Sequence, residues 1–569
     1  MTPKELPLGD PTFREIIQGN YLYADKTEYI NSMLKGPKFL FLSRPRRFGK
    51  TLLLDTVEEL FLGNRELFKG LRIDAESGYS FERHPILRFD MSYAEIHTRE
   101  DLVFKIKRDL ARAAKSEDVK ISSDSFDDML EELLESLFQK YGIGTAVLVD
   151  EYDDPVSSLL SNRKLAVDNL GVLRGFYKSL KKFKKHIRFA LVTGVTRYAM
   201  SALGSGPNNF LDISLMPEYS EVCGFTAQEL DDLFGDRFEE ALVSLKANGD
   251  IDPGIDMDVG LKALKEKILE WYDGYNWLGD ARVLNPYSII NFFKKRELDD
   301  YWPSSGQPSH LSAFVRKRPL EFIQPSLDGY PAEQIGKIDL RRRLAAVPVL
   351  FHSGYLTIDR ITRKTRIING NTVKIKEFTF RTPNLEVALN YRASFFKAAF
   401  ELDDRDFNDF AENLPKALSE RDAAETARLL GDLFAGIASV RHKSSEKFFH
   451  AVLQAAFLAA GIEVLSEVRA GLGRSDMVVF LKDGSRVVIE LKYRKAEETD
   501  DGGDDTGFSE KDFVAALDAA EKQIRDRDYS GAHRLAVKEV ICLALTVRGK
   551  YEVAARYLDP EDTGGPQAP

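Results

Sequence analysis

Short apolar runs alternate with amphipathic stretches along the first third of the chain. Phe39-Leu40-Phe41-Leu42, Ile86-Leu87-Arg88-Phe89, Ala146-Val147-Leu148-Val149 and Phe189-Ala190-Leu191-Val192 have the length of buried strands. Between them apolar residues recur at helical spacing, so Lys38 to about Val195 predicts an α/β layer structure with a largely parallel sheet. From Phe225 to Ser394 the pattern is helical and mixed, rich in aromatics. Helices dominate from Phe395 to Gly461, with a connector around Leu402 to Val440, and a compact α/β unit runs on to about Leu558. The expected layout is therefore residues 1–224, 225–394, 395–440 and 441–558, closed by a disordered tail at 559–569. The run Glu497 to Gly507 has the composition of a mobile acidic loop.

Two of these runs end in residues that carry chemistry. Phe39 to Leu42 leads into Ser43-Arg44-Pro45-Arg46-Arg47-Phe48-Gly49-Lys50-Thr51 and then a helical pattern through Leu52, Leu53, Val57, Leu60 and Phe61. Strand, tight loop, Gly49-Lys50-Thr51 and helix form the context of a phosphate-binding loop, where helix-terminal N–H groups favour an anion. Lys50 can neutralise outer phosphates and the Thr51 hydroxyl can bind Mg²⁺. Arg44 stands where the first glycine of such a loop is usual, so Arg46 or Arg47 is expected to supply charge in its place. The plain alternative is a strand-to-helix turn with a solvated basic loop.

Thr145 to Val149 ends in Asp150-Glu151, the pair a Walker B strand needs. Asp150 would hold Mg²⁺ through water and Glu151 would polarise an attacking water. The bland alternative is that Asp150, Glu151, Asp153 and Asp154 solvate a strand end and cap the next helix. The run Ile187 to Val192 leads to Thr193 and Arg197, candidates for sensing a terminal phosphate.

A second constellation lies near the C-terminus. Asp476 opens an apolar run to Leu481; after Lys482-Asp483-Gly484 a second run, Ser485 to Leu491, carries Glu490 and is followed by Lys492. Glu490 and Lys492 are two apart, so on a strand they share a face. A two-residue turn at Asp483-Gly484 would set Asp476 opposite Leu491, on the wrong face. A three-residue loop pairs Leu481 with Ser485 and Asp476 with Glu490, and Gly484 supplies its left-handed residue. The three-residue loop is expected. Two carboxylates can then hold a hard divalent cation, Mg²⁺ with Mn²⁺ as a substitute, and Lys492 can steady developing negative charge. An amphipathic hairpin with solvated charges is the alternative.

Composition narrows the class. A chain of 569 residues exceeds one ordinary core, and its 43% hydrophobic and 30% charged residues are those of a globular protein. The first residues lack the apolar core of a signal peptide, and no apolar run is long enough for a bilayer, so no membrane partner is expected. Only Cys223 and Cys542 occur, which argues against disulfides or a zinc site and fits a reducing, cytoplasmic setting. The net charge is −10, so a nucleic-acid partner needs a local basic surface. Arg316-Lys317-Arg318, Arg341 to Arg343 and Arg360 to Arg366 are candidates, with solvated surface as their ordinary reading.

The chain resembles the prokaryotic AAA-ATPase-like proteins that carry a C-terminal PD-(D/E)XK nuclease domain. The likeness lies in Leu8-Gly9-Asp10 to Phe13, Tyr23 to Thr27, Arg44 to Thr51, Val149 to Asp153, Asn208-Asn209 with Asp212, Trp271 to Tyr275, Asn285 to Ser288 and His352 to Leu356. Gly473-Arg474-Ser475, before Asp476, is also family-like, and Arg474 could meet a phosphate. The Arg-Pro-Arg-Arg-Phe-Gly-Lys segment is itself family-like, so the missing glycine is a family trait. The resemblance covers nearly the whole chain. It implies an ASCE/AAA-like P-loop domain, a mixed middle region, a PD-(D/E)XK-like α/β nuclease fold, and ATP with Mg²⁺ as cofactors. It further implies an extra acid on the helix Ser445 to Ala460, which points to Glu446, and an accessory Gln523 on the helix Phe513 to Arg525. Glu446 could equally be a favourable charge at a helix N-terminus. Asn208, Asn209, Asp212 and the turn Trp271 to Tyr275 could line a ligand surface or serve interdomain packing.

The expected function is an ATPase-coupled nuclease, with DNA expected from the superfamily before RNA. A nucleotide-gated sensor or defence switch and a non-catalytic nucleic-acid-binding scaffold are the competing readings. A homo-oligomer stays open.

Overall fold

The computed structural model describes residues 4–9, 11–75, 78–92, 96–198, 210–302, 311, 315, 318–336, 338–340, 344–368, 371–438, 445–470, 473–494, 510–526, 538–549 and 551–558. Asn208, Asn209, Arg316, Lys317, Arg341 to Arg343, the side chain of Arg474, the acidic run Glu497 to Gly507 and the tail from residue 559 lie outside them. The chain divides into two compact units. The first comprises residues 1–311 and 326–388, and the second 312–325 and 389–569. The first thus holds the expected ATPase domain and most of the middle region, and the second holds the connector and the last α/β unit.

The first unit is built on β1 (Phe39–Ser43), β2 (Ile86–Asp90), β3 (Thr145–Asp150), β4 (Ile187–Gly194) and β5 (Leu211–Asp212). The four apolar runs are its four longer strands. All pairings are parallel and the order is β2-β3-β4-β1-β5. Burial on both sides explains why β1, β3 and β4 read as continuous apolar runs. Helices Lys50–Phe61, Arg99–Ser116, Phe126–Tyr141 and Arg163–Lys182 supply the covering layers. Thr98 with Asp101 forms a capping box, and Ser125 and Asn162 cap the next two helices. Parallel strands bring the ends of β1, β3 and β4 to one edge, where ligands of open α/β sheets bind.

In the middle region helices Ala227–Phe234, Phe238–Asn248, Met257–Tyr272 and Pro286–Lys295 enclose their own apolar cluster around Leu242, Leu264, Ile268 and Phe292. Next comes β6 (Tyr330–Pro331), then a long antiparallel pair, β7 (Thr357–Ile368) and β8 (Asn371–Arg381), in the order β6-β8-β7. The helical and mixed pattern read from the sequence does not include this pair. The available signal lay in β8, which alternates Val373-Lys374-Ile375-Lys376 and Phe378-Thr379-Phe380, whereas Thr362 to Arg366 of β7 is wholly polar.

The second unit carries helices Asp404–Glu420, Ala423–Ala438 and Glu446–Ala459. Its sheet joins β9 (Glu463–Ala470), β10 (Gly473–Phe480), β11 (Arg486–Arg494), β12 (Val540–Arg548) and β13 (Glu552–Leu558) in the order β13-β12-β11-β10-β9. Only β11 and β12 run parallel, joined through the crossover helix Glu510–Asp526. Leu517, Ala520 and Ile524 of that helix pack on Val478, Val488, Cys542 and Ala544.

Candidate nucleotide and metal sites

The loop after β1 turns on two left-handed residues, Arg47 (φ +68°) and Gly49 (φ +86°). A Cβ at Gly49 would meet nothing within 4 Å, so backbone conformation, not space, demands glycine there. No side chain caps the helix that starts at Lys50, and Gly49 and Thr51 are exposed. Its first N–H groups thus form a ready anion site. Lys50 is 3% exposed; its Nζ donates to the Pro45 carbonyl (3.2 Å) and lies 3.5 Å from Glu151 Oε1.

Arg44 takes no part in that anion site. Its buried guanidinium donates to the carbonyls of Ser43 (2.8 Å), Ser214 (2.9 Å) and Tyr219 (2.8 Å) and stacks 4.3 Å from the Trp277 ring. The residue in place of a glycine therefore works as a clamp beneath the loop. Arg46 lies 3.6 Å from Asp154, and Arg47 packs over Tyr287 at 4.9 Å. Phe48 is gripped by Tyr275 (4.8 Å) and Trp277 (5.2 Å), and Trp302 Nε1 donates to the Arg46 carbonyl (3.1 Å). The turn after Trp271 is thus packing for the loop.

Asp150, at the end of β3, is buried. It accepts from Thr193 Oγ1 (2.6 Å) on β4, the strand between β1 and β3, and lies 3.7 Å from Arg88 of β2. Arg88 also meets Asp55 (3.1 Å) and Glu58 (3.2 Å) of the loop's helix. Glu151 adopts φ +46°, a left-handed conformation uncommon for glutamate. Asp153 accepts from the N–H groups of Val195 (2.9 Å) and Thr196 (2.7 Å), which ties the Asp150 turn to the end of β4. Burial and the charge of Glu151 push its carboxyl above the ordinary range, against those N–H groups and Lys50. Arg197 pairs with Asp212 of β5 and so braces the neighbouring strand end. Lys50 meets Glu151, and the adjacent Asp150 meets Thr193; Arg197 is engaged with Asp212 and Arg47 with Tyr287. Sequence reading missed Arg88 and Trp302. The charged residue inside the apolar run Ile86 to Phe89 was the available signal for Arg88.

In the second unit β10 pairs with β11 in the register Met477↔Ile489 to Phe480↔Arg486. Leu481 N–H donates to Ser485 O (2.9 Å), and Gly484 has φ +88°. This is the register of the three-residue loop, and carried one step on it sets Asp476 opposite Glu490. The ladder opens there, because the Asp476 carboxylate, not a main-chain carbonyl, accepts from the Leu491 N–H (2.8 Å). Glu490 is fully buried, and Lys492 Nζ donates to its Oε1 (2.9 Å). Glu446, first residue of its helix, accepts from the Tyr493 N–H (3.3 Å).

Burial lifts the Asp476 carboxyl above its ordinary range, against the Leu491 N–H and the charges of Lys492 and His450; Glu446 adds to the rise. Burial opposes the charge on Lys492, but its hydrogen bond to Glu490 and the charges of Glu490, Asp476 and Glu446 outweigh it and raise its pKa. His450 Nε2 lies 2.9 Å from the Asp476 carbonyl, a contact that needs the proton on Nε2. Sequence reading missed it; its place one helical turn after Glu446 was the signal. Gln523 is half-buried beside Ile524 on the crossover helix.

Among the described residues no group of three or more His, Cys, Asp or Glu side chains is placed to hold a metal ion. Two carboxylates with hard oxygen donors do fit Mg²⁺, which keeps several waters and takes one or two protein carboxylates.

Residues 7–204 match the family described as a predicted AAA-ATPase, and residues 444–556 match the PD-(D/E)XK nuclease superfamily. A protein of Azotobacter chroococcum mcd 1, described as an uncharacterized protein in the vnfD 5′ region, is 31% identical over 503 residues. That alignment spans 86% of this chain and 90% of the relative. The chain belongs to the AAA-ATPase-like family with a C-terminal PD-(D/E)XK nuclease domain. In this AAA-ATPase-like protein the five-stranded parallel sheet is the P-loop domain, and the β10–β11 hairpin lies inside the nuclease match. No helix among the described residues is long and apolar enough to cross a membrane.

Proposed function

We propose that this protein binds and hydrolyses ATP and couples that cycle to a metal-dependent phosphodiesterase acting on nucleic acid, DNA before RNA. The single observation that carries the nuclease half is Asp476, Glu490 and Lys492 meeting at the open end of the β10–β11 ladder. A divalent cation bound there supplies a water of lowered pKa and polarises the phosphodiester. Asp476 and Glu490 hold it, with Glu446 beside them, Lys492 offsets charge growing on the phosphate, and Gln523 serves as an accessory group. In the ATPase half Lys50 faces the outer phosphates. Thr51 and Asp150 hold Mg²⁺, Glu151 orients water, and Thr193 reads the terminal phosphate. Arg46, Arg47 and Arg197 are the nearby cations.

The Lys50–Glu151 contact also favours a nucleotide-gated switch, since a triphosphate must draw Lys50 away and release Glu151. Activity that appears only with a stimulus separates this from constant coupling.

The test is metal-dependent cleavage of several nucleic acids with and without ATP, comparing the intact chain with Glu490→Ala and Lys50→Ala. Loss in both variants supports coupling; loss only in Glu490→Ala supports independent units. Undiminished cleavage by Glu490→Ala overturns the site.

A further inference from the structure

The β7–β8 ribbon is unusual for what its ladder sets side by side. Its base is anchored: Thr357, Ile358, Phe378 and Phe380 are buried, and β6 pairs with β8 at Phe378 and Glu377. Outward of Thr362↔Glu377 the ladder continues through Arg363↔Lys376, Lys364↔Ile375, Thr365↔Lys374 and Arg366↔Val373 to Ile368↔Asn371, with no third strand among the described residues. Arg363, Lys364, Thr365, Thr372, Val373, Lys374 and Lys376 are all exposed.

Residues opposite one another share a face, and faces alternate along the ladder. Lys364 therefore lies on the face of Glu377 and pairs with it at 2.8 Å. The other face carries Arg363 directly opposite Lys376, with Lys374 two residues along, and no acid among its outer pairs. Like charges directly opposite destabilise a ladder, and a two-stranded ribbon has little stability to spare. In a chain of net charge −10 this arrangement runs against both the strand and the overall balance.

We infer that this face is a docking surface for the phosphate backbone of duplex DNA, the ribbon lying in the major groove. The polyanion supplies the missing counter-charge. The groove of B-form DNA admits a two-stranded β-ribbon, whereas that of A-form RNA is too deep and narrow. The inference rests on the nucleic-acid reading above and adds to it the residues that hold the substrate and its duplex form.

The experiment is anisotropy titration of the full chain with a labelled DNA duplex of about 30 base pairs, in EDTA to prevent cleavage, over a series of salt concentrations. Replacing Arg363, Lys374 and Lys376 by Gln is expected to weaken binding on the order of tenfold or more and to flatten the salt slope by about 2.7. Arg363→Glu, which creates a cross-strand pair with Lys376, is expected to raise the melting temperature while weakening DNA binding. A merely structural role would not move the two in opposite directions. Equal affinity and salt slope in the triple variant, or equal binding of duplex RNA, overturns the inference. Cleavage of the same duplex in Mg²⁺ without EDTA, by the parent, the triple variant and Glu490→Ala, keeps the two readings apart. Ribbon-dependent binding without Glu490-dependent cleavage leaves the ribbon standing and removes the nuclease. Glu490-dependent cleavage with binding indifferent to the ribbon removes only the ribbon.

Discussion

The indole Nε1 of Trp302 donates to the main-chain carbonyl of Arg46 at 3.1 Å, so a residue more than two hundred positions away holds the loop after β1. The Trp302 main-chain N–H donates to Glu386 (2.8 Å), a buried carboxyl that also accepts from Ser288 (2.8 Å). Trp302→Phe keeps an aromatic ring against Tyr355 and removes the indole donor. Loss of one net hydrogen bond of about 1 kcal/mol predicts roughly fivefold weaker binding of a non-hydrolysable ATP analogue, read by calorimetric titration. Unchanged affinity would show that the loop keeps its shape without Trp302.

Glu446 touches the proposed metal site through the Tyr493 N–H and through its charge on Asp476 and Lys492. Groups that support metal ligands govern metal affinity about 10- to 100-fold. Glu446→Gln is therefore expected to raise the Mg²⁺ concentration for half-maximal cleavage about tenfold, with a smaller effect on the saturated rate. A variant that alters only thermal stability would reduce Glu446 to a helix-end charge.

Gly484 sets the register on which the proposed nuclease face depends. An added Cβ would stand 3.7 Å from Lys538 Cβ, an ordinary contact, so the cost of substitution is the left-handed backbone alone. Gly484→Ala should destabilise the second unit by about 1 kcal/mol and Gly484→Asn by less, since asparagine tolerates that region. Urea unfolding of the full chain, followed by hydrogen exchange on β10 and β11, measures both. Equal loss in the two variants would contradict this account.

His352 is buried, and that burial, together with the charge of Arg197, lowers its pKa to about 3 against a donated hydrogen bond to the Ile335 carbonyl (2.9 Å). The unfolded chain takes up the proton near pH 6.5, while the folded one resists until about 3. His352 thus contributes stability present above pH 6.5 that is lost progressively as pH falls toward 3. Between pH 6.5 and 5.5 the loss should be on the order of 1 kcal/mol. In His352→Gln this part of the pH dependence should vanish, read from urea midpoints at the two pH values. A variant with the same pH slope as the parent would rule out His352 as its source.

Local rules were enough for much of this protein. The four apolar runs became β1 to β4 because strand length and continuous burial leave a mark in any short window. The Asp476–Glu490 register followed from turn length and the two-residue period of a strand, both contained within a few neighbouring residues. Long-range closure decided the rest. That Arg44 acts as a clamp depended on Ser214 and Tyr219, which follow the last strand of the sheet, and on Trp277 of the middle region, all far from it in sequence. Trp302 and Arg88 gained their roles in the same way, through partners that no spacing announces. The β7–β8 ribbon was legible only in part: β8 alternates at Val373 to Lys376 and Phe378 to Phe380, but Thr362 to Arg366 of β7 is wholly polar, and only the pairing shows which charges confront one another. Periodicity records which face of an element is buried, and only folding determines what lies against it.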